Sequence, residues 1–306
     1  MTALEIARRM DGLGLWEAVS SYHWAIKPRG TVIPYFFCIL GGGPRKDMRV
    51  RALFLEGWQT FHDFVRTNLD RNFGFYQTPM ELPHFELDIL ADGTPQLFRH
   101  DPGYVPCPLT PAQEALCARI FWETYGILLR IESERNLPLK FAAEKAIFAR
   151  VEDRDGTWSD RPLVVPKPRP HEEVISLPLA QLEKAKELPF IKEMAIEVDF
   201  RLIPKMMVEK PRSRCIYLLA AIDAQTHERL MDLSMTVEPE KGLRGLWEEM
   251  PRRFLAQLVE GGRIPGEVKV LSGRVFRMLR PVCERIPFKL SLHDNLPQLE
   301  EALRTW

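Results

Sequence analysis

The most constraining feature of the sequence is a pair of segments in its second half. Between Ala195 and Ile203, apolar and charged residues alternate strictly, which predicts a strand with one buried face. Cys215–Ile222 is almost continuously apolar, which is typical of a central strand that is buried on both faces. The two patterns predict a sheet at the centre of this half of the chain.

Further elements follow these two strands in a regular order. Glu228–Val237 predicts a third strand, and the helix predicted over Leu243–Glu260 ends at Gly261-Gly262, where a left-handed C-cap is expected. The pattern then alternates strand, helix, strand and helix as far as Trp306. The predicted order is β-β-β-α-β-α-β-α, which defines an α/β domain over residues 191–306.

Prolines mark the predicted domain boundary. Each proline fixes its own φ and disfavours helix in the residue before it, so a proline cluster holds the backbone extended. The densest cluster consists of Pro162, Pro166, Pro168 and Pro170. A hairpin predicted around Asp155-Gly156 precedes it, and residues 151–190 are therefore predicted to be a hairpin and a linker.

Residues 1–150 predict a separate domain of mixed α+β structure. Its last helix, over Ala112–Glu132, has Thr110 as N-cap and Pro111 at its first position. A total length of 306 residues agrees with two domains, since one domain averages about 100–200 residues. The other elements predicted here are helices over Leu4–Tyr22 and Trp58–Asn68 and strands over Val32–Leu40, Arg49–Glu56 and Phe85–Leu90.

Composition narrows the classes of protein and partner. The 42 basic and 42 acidic residues balance, so no global charge attracts a nucleic acid or a membrane. The five cysteines form no C-x-x-C pair, which favours reduced thiols in a bacterial-type cytosol. Neither a signal sequence nor an apolar run near the ~20 residues of a spanning helix is found. These features predict a cytoplasmic protein without a membrane partner.

The C-terminal half resembles the ribonuclease-H-like core of retroviral integrases and DDE transposases. The resemblance covers Glu197–Trp306 and lies in the element order, in the acidic first strand Glu197-Val198-Asp199, and in the second strand ending at Ile222-Asp223. It implies a ribonuclease-H-like fold, whose chemistry needs three carboxylates around two divalent metal ions. Asp199 would be the first of these carboxylates, and Glu300 or Glu301 the third.

The middle carboxylate has no counterpart in this sequence. It should follow the fourth strand of the domain, where the chain has Leu271-Ser272-Gly273. We therefore expect a catalytically degenerate domain, with Asp199 and Glu300 as the remaining metal-ligand candidates. No metal or other cofactor is predicted.

The whole chain is also similar to a bacterial family of uncharacterised two-domain proteins. The matching segments are Pro102–Pro106 before the long helix, Ala221-Ile222-Asp223, and Leu296–Leu299 at the start of the last helix. This resemblance implies no activity, substrate or site.

Arginines supply the candidate nucleic-acid site. Between Lys241 and Leu290, eleven basic residues face five glutamates and no aspartate. Arg274, Arg277 and Arg280 follow one another at helical i, i+3, i+6 spacing, and Arg244 lies on the preceding helix. Such a stripe can neutralise phosphates. The alternative is a solvated helix face whose charge is balanced by acids elsewhere.

Other motifs favour structural roles. Gly41–Gly43 is not followed by a helix or by Gly-Lys-Ser/Thr, so a hairpin loop is expected instead of a phosphate loop. The seven histidines form no H-E-x-x-H motif and no i,i+4 pair. His84 with Glu86, His100 with Asp101, and His293 with Asp294 are isolated neighbours, and a zinc site with a distant cysteine stays open.

The sequence thus favours a non-catalytic binding or interaction protein whose partner is a protein or a nucleic acid. Nucleic-acid binding through the arginines is the second hypothesis. A metal-dependent nuclease or phosphotransferase is the third.

Overall fold

A computed structural model of the protein describes residues 1–40, 48–69, 81–169 and 175–304. The chain divides into two compact units, each of mixed α+β structure and each containing one mixed sheet. Unit 1 comprises Met1–His62, Leu82–Asp101 and Pro106–Arg169, and unit 2 comprises Asp63–Glu81, Pro102–Val105 and Pro170–Trp306.

Strands and helices have the following bounds. The strands are β1 Trp24–Lys27, β2 Tyr35–Leu40, β3 Met48–Glu56, β4 His84–Leu90, β5 Pro95–His100, β6 Ala146–Glu152, β7 Trp158–Val164, β8 Phe190–Met207, β9 Arg214–Asp223, β10 Arg229–Met235, β11 Ile264–Val270 and β12 Lys289–Leu292. The helices are α1 Ala3–Gly12, α2 Trp16–Val19, α3 Gly57–Leu69, α4 Pro111–Ser133, α5 Leu179–Lys186, α6 Gly242–Glu260, α7 Gly273–Cys283 and α8 Pro297–Leu303.

Unit 1 is built on a seven-stranded sheet with the order β5-β4-β3-β2-β1-β6-β7. Neighbouring strands are antiparallel except for β1 and β6, which run parallel. One face carries an aromatic core in which Trp24 stacks on Phe37, with ring centroids 4.1 Å apart. Helices α1 and α4 contribute to this core. Helix α4 begins as predicted, because Thr110 and Gln113 form a reciprocal capping box.

The hairpin of β4 and β5 has a register that its sequence does not make obvious. A two-residue turn at Asp92-Gly93 would pair His84 with Asp101. Instead the loop holds three residues, Gly93 has a φ of 81°, and the backbone N–H of Leu90 donates to the carbonyl of Thr94 at 3.0 Å. This register pairs His84 directly with His100.

Unit 2 is built on a five-stranded sheet with the order β10-β9-β8-β11-β12. Strand β9 is antiparallel to both β8 and β10, whereas β11 is parallel to both β8 and β12. Along β8, Ile196, Val198 and Phe200 are fully buried in the main core, as the alternation predicts. The expectation of a single buried face is wrong, because Glu197 and Asp199 on the other face are also buried, at 3% and 4% exposure.

Helices cover both faces of this second sheet. Residues of α5, α6 and α7 join the main core, while Leu296 and Leu299 at the start of α8 pack with Leu218, Ala220 and Ile222 of β9 on the opposite face. The prediction that Cys215–Ile222 is buried on both faces is therefore correct from Tyr217 onward.

Several predicted boundaries differ in the structure. The hairpin assigned to the linker is β6 and β7, and it belongs to the first sheet because β6 pairs with β1. The helix predicted over Leu4–Tyr22 is two helices, separated where Gly14 has a φ of 65°. The short strands β1 and β5 were not predicted at all. The Gly41–Gly43 loop lies outside the described residues. Within the described ranges, no helix has the length and apolar character needed to cross a membrane.

Candidate functional site

Asp199, the first predicted metal ligand, is buried in unit 2. It lies on β8 with only 4% of its surface exposed. Its Oδ2 accepts from Nε of Arg201 at 2.5 Å, and its Oδ1 accepts from the backbone N–H of Phe200 at 2.8 Å. Burial raises the pKa of Asp199 above its usual value, although Arg201 acts in the opposite direction. The side chain is a buried carboxyl group tied to an arginine.

Glu197, two residues earlier on the same face of β8, has a structural role. Its Oε2 accepts from the backbone N–H of Leu299 at 2.8 Å, and the glutamate is 3% exposed. Leu299 is in the first turn of α8, where free N–H groups and the helix dipole favour a negative charge. Glu197 therefore caps α8 from a neighbouring strand.

The other positions of the expected carboxylate set hold no metal-binding arrangement. At the end of β11, the Oγ of Ser272 accepts from the backbone N–H of Arg274 at 3.2 Å and caps α7. Asp223 accepts from the backbone N–H groups of Gln225 and Thr226 at 2.8 and 2.9 Å. Glu300 is half-buried. Burial is the main cause of the raised pKa of Asp199, and the negative charge of Glu300 raises that pKa a little further. Neither Asp199 nor Glu300 belongs to a group of three converging ligand atoms among the described residues.

The four predicted arginines do not form one exposed surface. Arg274 is 1% exposed, whereas Arg277 and Arg280 are exposed. Arg280 pairs with Glu284 and Arg244 pairs with Glu248, each by an Nε···Oε1 contact of 3.0 or 2.8 Å one helical turn away. Residues at i, i+3 and i+6 do not point in the same direction, because each step of three residues rotates the side chain by about 60° around the helix axis. The first and last of them therefore differ by about 120°, and the first can point into the core while the last is exposed.

Arg274 lies in a buried cluster of unit 2. The central carbon of its guanidinium is 3.6 Å from the ring centroid of Trp247, and its Nη1 is 4.0 Å from Oε2 of the fully buried Glu81. Tyr217 belongs to the same cluster, and burial together with the negative charge of Glu81 raises its pKa well above the usual value. The prediction that Arg274 is part of an exposed stripe is wrong, because it packs on α6.

Residues Pro102–Val105 of the segment Pro102–Pro106 belong to unit 2 and make specific contacts there. Gly103 has a φ of 84°, and a Cβ there would lie 2.2 Å from Cγ1 of Val237, so the position requires glycine. The carbonyl of Gly103 accepts from the backbone N–H of Cys215 at 2.9 Å, and the N–H of Val105 donates to Ser213 at 3.1 Å. The segment therefore lies along the beginning of β9.

A second cluster of polar side chains lies in unit 1. His84, Glu86 and His100 project from β4 and β5 and are 0%, 3% and 2% exposed. Oε2 of Glu86 is 3.6 Å from Nε2 of His84 and 3.3 Å from Nε2 of His100. The two imidazole rings stack with centroids 4.3 Å apart and planes inclined by 8°. Three potential metal-ligand atoms thus converge within 4.8 Å of one another.

Neighbouring groups orient this cluster. Nδ1 of His84 donates to the carbonyl of Leu82 at 2.7 Å, and Nη2 of Arg51 is 3.2 Å from Oε1 of Glu86. Burial lowers the pKa of His84. For Glu86, burial alone would raise the pKa, but the facing imidazoles and Arg51 outweigh it and hold the pKa well below the usual range. Glu86 is therefore ionised and His84 neutral at pH 7.

The comparison with protein families gives one result for this chain. Residues 181–305 match the family model for a domain of unknown function, DUF6930. The match covers less than half of the chain. No curated protein matches it.

The DUF6930 match begins inside α5 and covers the whole five-stranded sheet with α6, α7 and α8. It includes Asp199, Glu300 and all four predicted arginines, and it excludes the cluster of His84, Glu86 and His100. The expectation of an uncharacterised domain is thereby confirmed for the C-terminal part of the chain. The description of DUF6930 assigns no chemistry to any of these residues.

Sequence reasoning missed the histidine cluster as a unit. His84 and Glu86 are two residues apart, which places both on one face of a strand. The missing partner was His100, because the strand that carries it was not predicted. A three-residue hairpin loop closed by Gly93 would have paired His84 with His100 and revealed the cluster.

Four of the five cysteines pack in the interior of the two units. Cys215 and Cys283 pack against the main core of unit 2, and Cys38 and Cys117 are fully buried in unit 1. Burial raises the pKa of Cys38, Cys117 and Cys215, which disfavours the reactive thiolate. All five cysteines are described and are free thiols.

Proposed function

We propose that this chain is a non-catalytic binding or interaction protein whose C-terminal unit is a degenerate ribonuclease-H-like domain. The fold assignment is supported by the strand order β10-β9-β8-β11-β12. In this order β9 is antiparallel to both of its neighbours, whereas β11 is parallel to both β8 and β12. The free thiols support a cytoplasmic location, within the same proposal.

One observation carries the non-catalytic assignment. The carboxylates on the first strand of this sheet already have partners inside the protein, since Glu197 caps α8 and Asp199 binds Arg201. Two-metal phosphoryl transfer needs ionised carboxylates that converge on the metal ions. A buried aspartate with a raised pKa, whose Oδ2 an arginine occupies, does not meet that requirement.

A groove in unit 1 supports a binding role. It has a volume of about 360 Å³ and is lined mainly by apolar side chains, with Trp122 and Trp158 as the largest. Trp122 on α4 is 46% exposed. Large aromatic side chains that remain exposed beside a groove are typical of interfaces, where tryptophan contributes much of the binding energy.

The catalytic alternative is tested first. The purified chain is incubated with Mg²⁺ or Mn²⁺ and labelled single- and double-stranded DNA and RNA. We expect no cleavage by the wild type or by Asp199→Asn. Metal-dependent cleavage that disappears in Asp199→Asn would establish the nuclease instead.

Nucleic-acid binding is tested with the same substrates by mobility shift at several salt concentrations. We expect no salt-dependent complex, since Arg274 is buried and Arg244 and Arg280 pair with glutamates. A complex that weakens steeply with salt and with Arg277→Gln would favour the arginine surface as the site.

The binding role itself is tested by a photo-crosslinking amino acid placed at Trp122 or at Leu139. Leu139 is a control because it is 49% exposed but does not line the groove. In cells that express the chain, we expect a discrete adduct from position 122 and none from position 139. Equal or absent adducts at both positions would contradict the assignment of this groove.

A further inference from the structure

We propose that His84, Glu86 and His100 bind one divalent transition-metal ion, for which zinc is the best match. The three residues belong to β4 and β5 of unit 1, outside the region that matches DUF6930. The inference is therefore independent of the function proposed for the C-terminal unit.

Two of the three distances between the ligand atoms match those of a metal site, and all three atoms lie within 4.8 Å of one another. Zinc lies about 2.0–2.1 Å from imidazole nitrogen and about 2.0–2.2 Å from carboxylate oxygen, so two ligands of a tetrahedral site are about 3.4 Å apart. The distances from Oε2 of Glu86 to Nε2 of His100 and Nε2 of His84 are 3.3 and 3.6 Å. Both distances lie within a few tenths of an ångström of the distance expected between two ligands of a tetrahedral zinc ion.

The same three atoms are buried without a hydrogen bond. Nε2 of His84, Nε2 of His100 and Oε2 of Glu86 are shielded from solvent, and none has a hydrogen-bond partner among the described residues. Buried polar atoms are almost always satisfied, because leaving them unsatisfied costs free energy. A cation placed between them would satisfy all three at once.

The surrounding groups leave the metal-binding atoms available. The bond from Nδ1 of His84 to the carbonyl of Leu82 fixes the proton on Nδ1, which leaves a lone pair on Nε2. Arg51 occupies Oε1 of Glu86, so that Oε2 faces the imidazoles. Both contacts are of the kind that orients ligands around protein-bound metals.

An internal ion pair explains the cluster less well. It would require a proton on at least one imidazole, and that charged ring would then stack face to face on its neighbour at 4.3 Å. Two imidazole nitrogens and one carboxylate oxygen instead form an N₂O donor set. That set suits zinc and other first-row transition metals, whereas Mg²⁺ and Ca²⁺ require mainly oxygen ligands.

The ion would connect the end of β5 to the beginning of β4. Three ligands leave one position of a tetrahedral zinc ion for a water molecule or a further donor. Because the ligands come from two paired strands, metal binding is expected to stabilise unit 1 against unfolding.

The test uses the whole chain of 306 residues after removal of metal by a chelator. Titration with Zn²⁺ by calorimetry should give one ion per chain with a submicromolar Kd, and titration with Co²⁺ should give the visible absorption of a tetrahedral site without a thiolate band. Glu86→Gln, His84→Asn and His100→Asn should each weaken zinc binding at least about 100-fold.

His227→Asn is the matched control. His227 is exposed and has a φ of 62°, a conformation that asparagine tolerates, so this variant should bind zinc as the wild type does. Wild-type protein that binds zinc more weakly than about 10 μM would overturn the proposal, and so would unchanged binding in Glu86→Gln.

A measurement on the wild type keeps the proposal testable where a variant does not fold. X-ray absorption at the zinc edge should require two imidazole ligands and only nitrogen or oxygen in the first shell. A spectrum that requires sulfur, or one without imidazole scattering, would place the ion elsewhere and refute this site.

Discussion

Replacing Arg274 by alanine should destabilise unit 2 strongly, although arginine is normally a surface residue. The side chain is 1% exposed, and its guanidinium stacks on Trp247 at 3.6 Å. It also lies 4.0 Å from the buried carboxylate of Glu81. The substitution removes the stacking and leaves Glu81 without this positive charge.

The magnitude follows from these contacts. Removing one partner of a buried ion pair costs about 3–5 kcal/mol, because the remaining charge stays in a poorly solvated place. A desolvated cation–π contact contributes about 2 kcal/mol within that total. With a urea m-value of about 2 kcal/mol/M, a loss of about 4 kcal/mol lowers the unfolding midpoint by about 2 M.

The measurement is urea unfolding, accompanied by hydrogen exchange of peptides from α7. Arg280→Ala is the control, because Arg280 is on the same helix but exposed and paired with Glu284 one turn away. Such a pair contributes about 0.3–0.5 kcal/mol, so the two arginines should differ by nearly tenfold in their effect on stability.

A double-mutant cycle separates the ion pair from general loss of packing. Arg274→Met combined with Glu81→Gln should be clearly more stable than the sum of the two single effects, since the double variant leaves no isolated charge. The reasoning is wrong if Arg274→Ala costs less than about 1 kcal/mol, or if the cycle gives no coupling.

Three further substitutions test other parts of the structure by urea or thermal unfolding. Gly126→Ala should stabilise the protein by about 1 kcal/mol, because Gly126 is inside α4 and a Cβ there meets nothing within 4 Å; a loss of stability would contradict this. Gly266→Ala should cost about 3 kcal/mol or more, because the added Cβ would lie 2.1 Å from the carbonyl oxygen of Lys192; a neutral result would show that the bulge between β8 and β11 relaxes easily. Asp199 has a raised pKa in the folded protein, so its contribution to stability is complete below the unfolded pKa and is lost as the pH rises through the folded pKa. Asp199→Asn lacks this loss and should gain stability relative to the wild type as the pH rises above about 4, the ordinary pKa of an aspartate, and a pH-independent difference would refute the shift.

The fold of unit 2 was largely predictable because its elements are long and periodic. The alternation over Ala195–Ile203 identifies the apolar face of β8 that joins the main core, and the apolar run of β9 identifies a strand that is buried on both faces. Unit 1 was less predictable. Strand β1 has only four residues, and β5 begins with a proline, so neither gives a periodic signal.

The candidate metal site shows why local pattern was not sufficient. Its ligands are 2 and 14 residues from one another along the chain, and the sequence placed Glu86 only beside His84. The register of the β4–β5 hairpin decides whether His100 lies beside His84 and Glu86, because a shift by one residue would turn His100 to the opposite face of the sheet.

The sequence by itself determined the strands β8 and β9 of unit 2, the apolar face that β8 turns to the main core, and the helix that Thr110 caps, because periodicity and capping are properties of neighbouring residues. The tertiary structure alone decided the environment of each charged residue. Glu197 and Arg274 have the local patterns of exposed residues, but both are buried, since the start of α8 donates a backbone N–H to Glu197 and Trp247 of α6 stacks on Arg274. Burial of a polar group depends on which segments meet in space, and that information is not contained in spacing along one strand or helix.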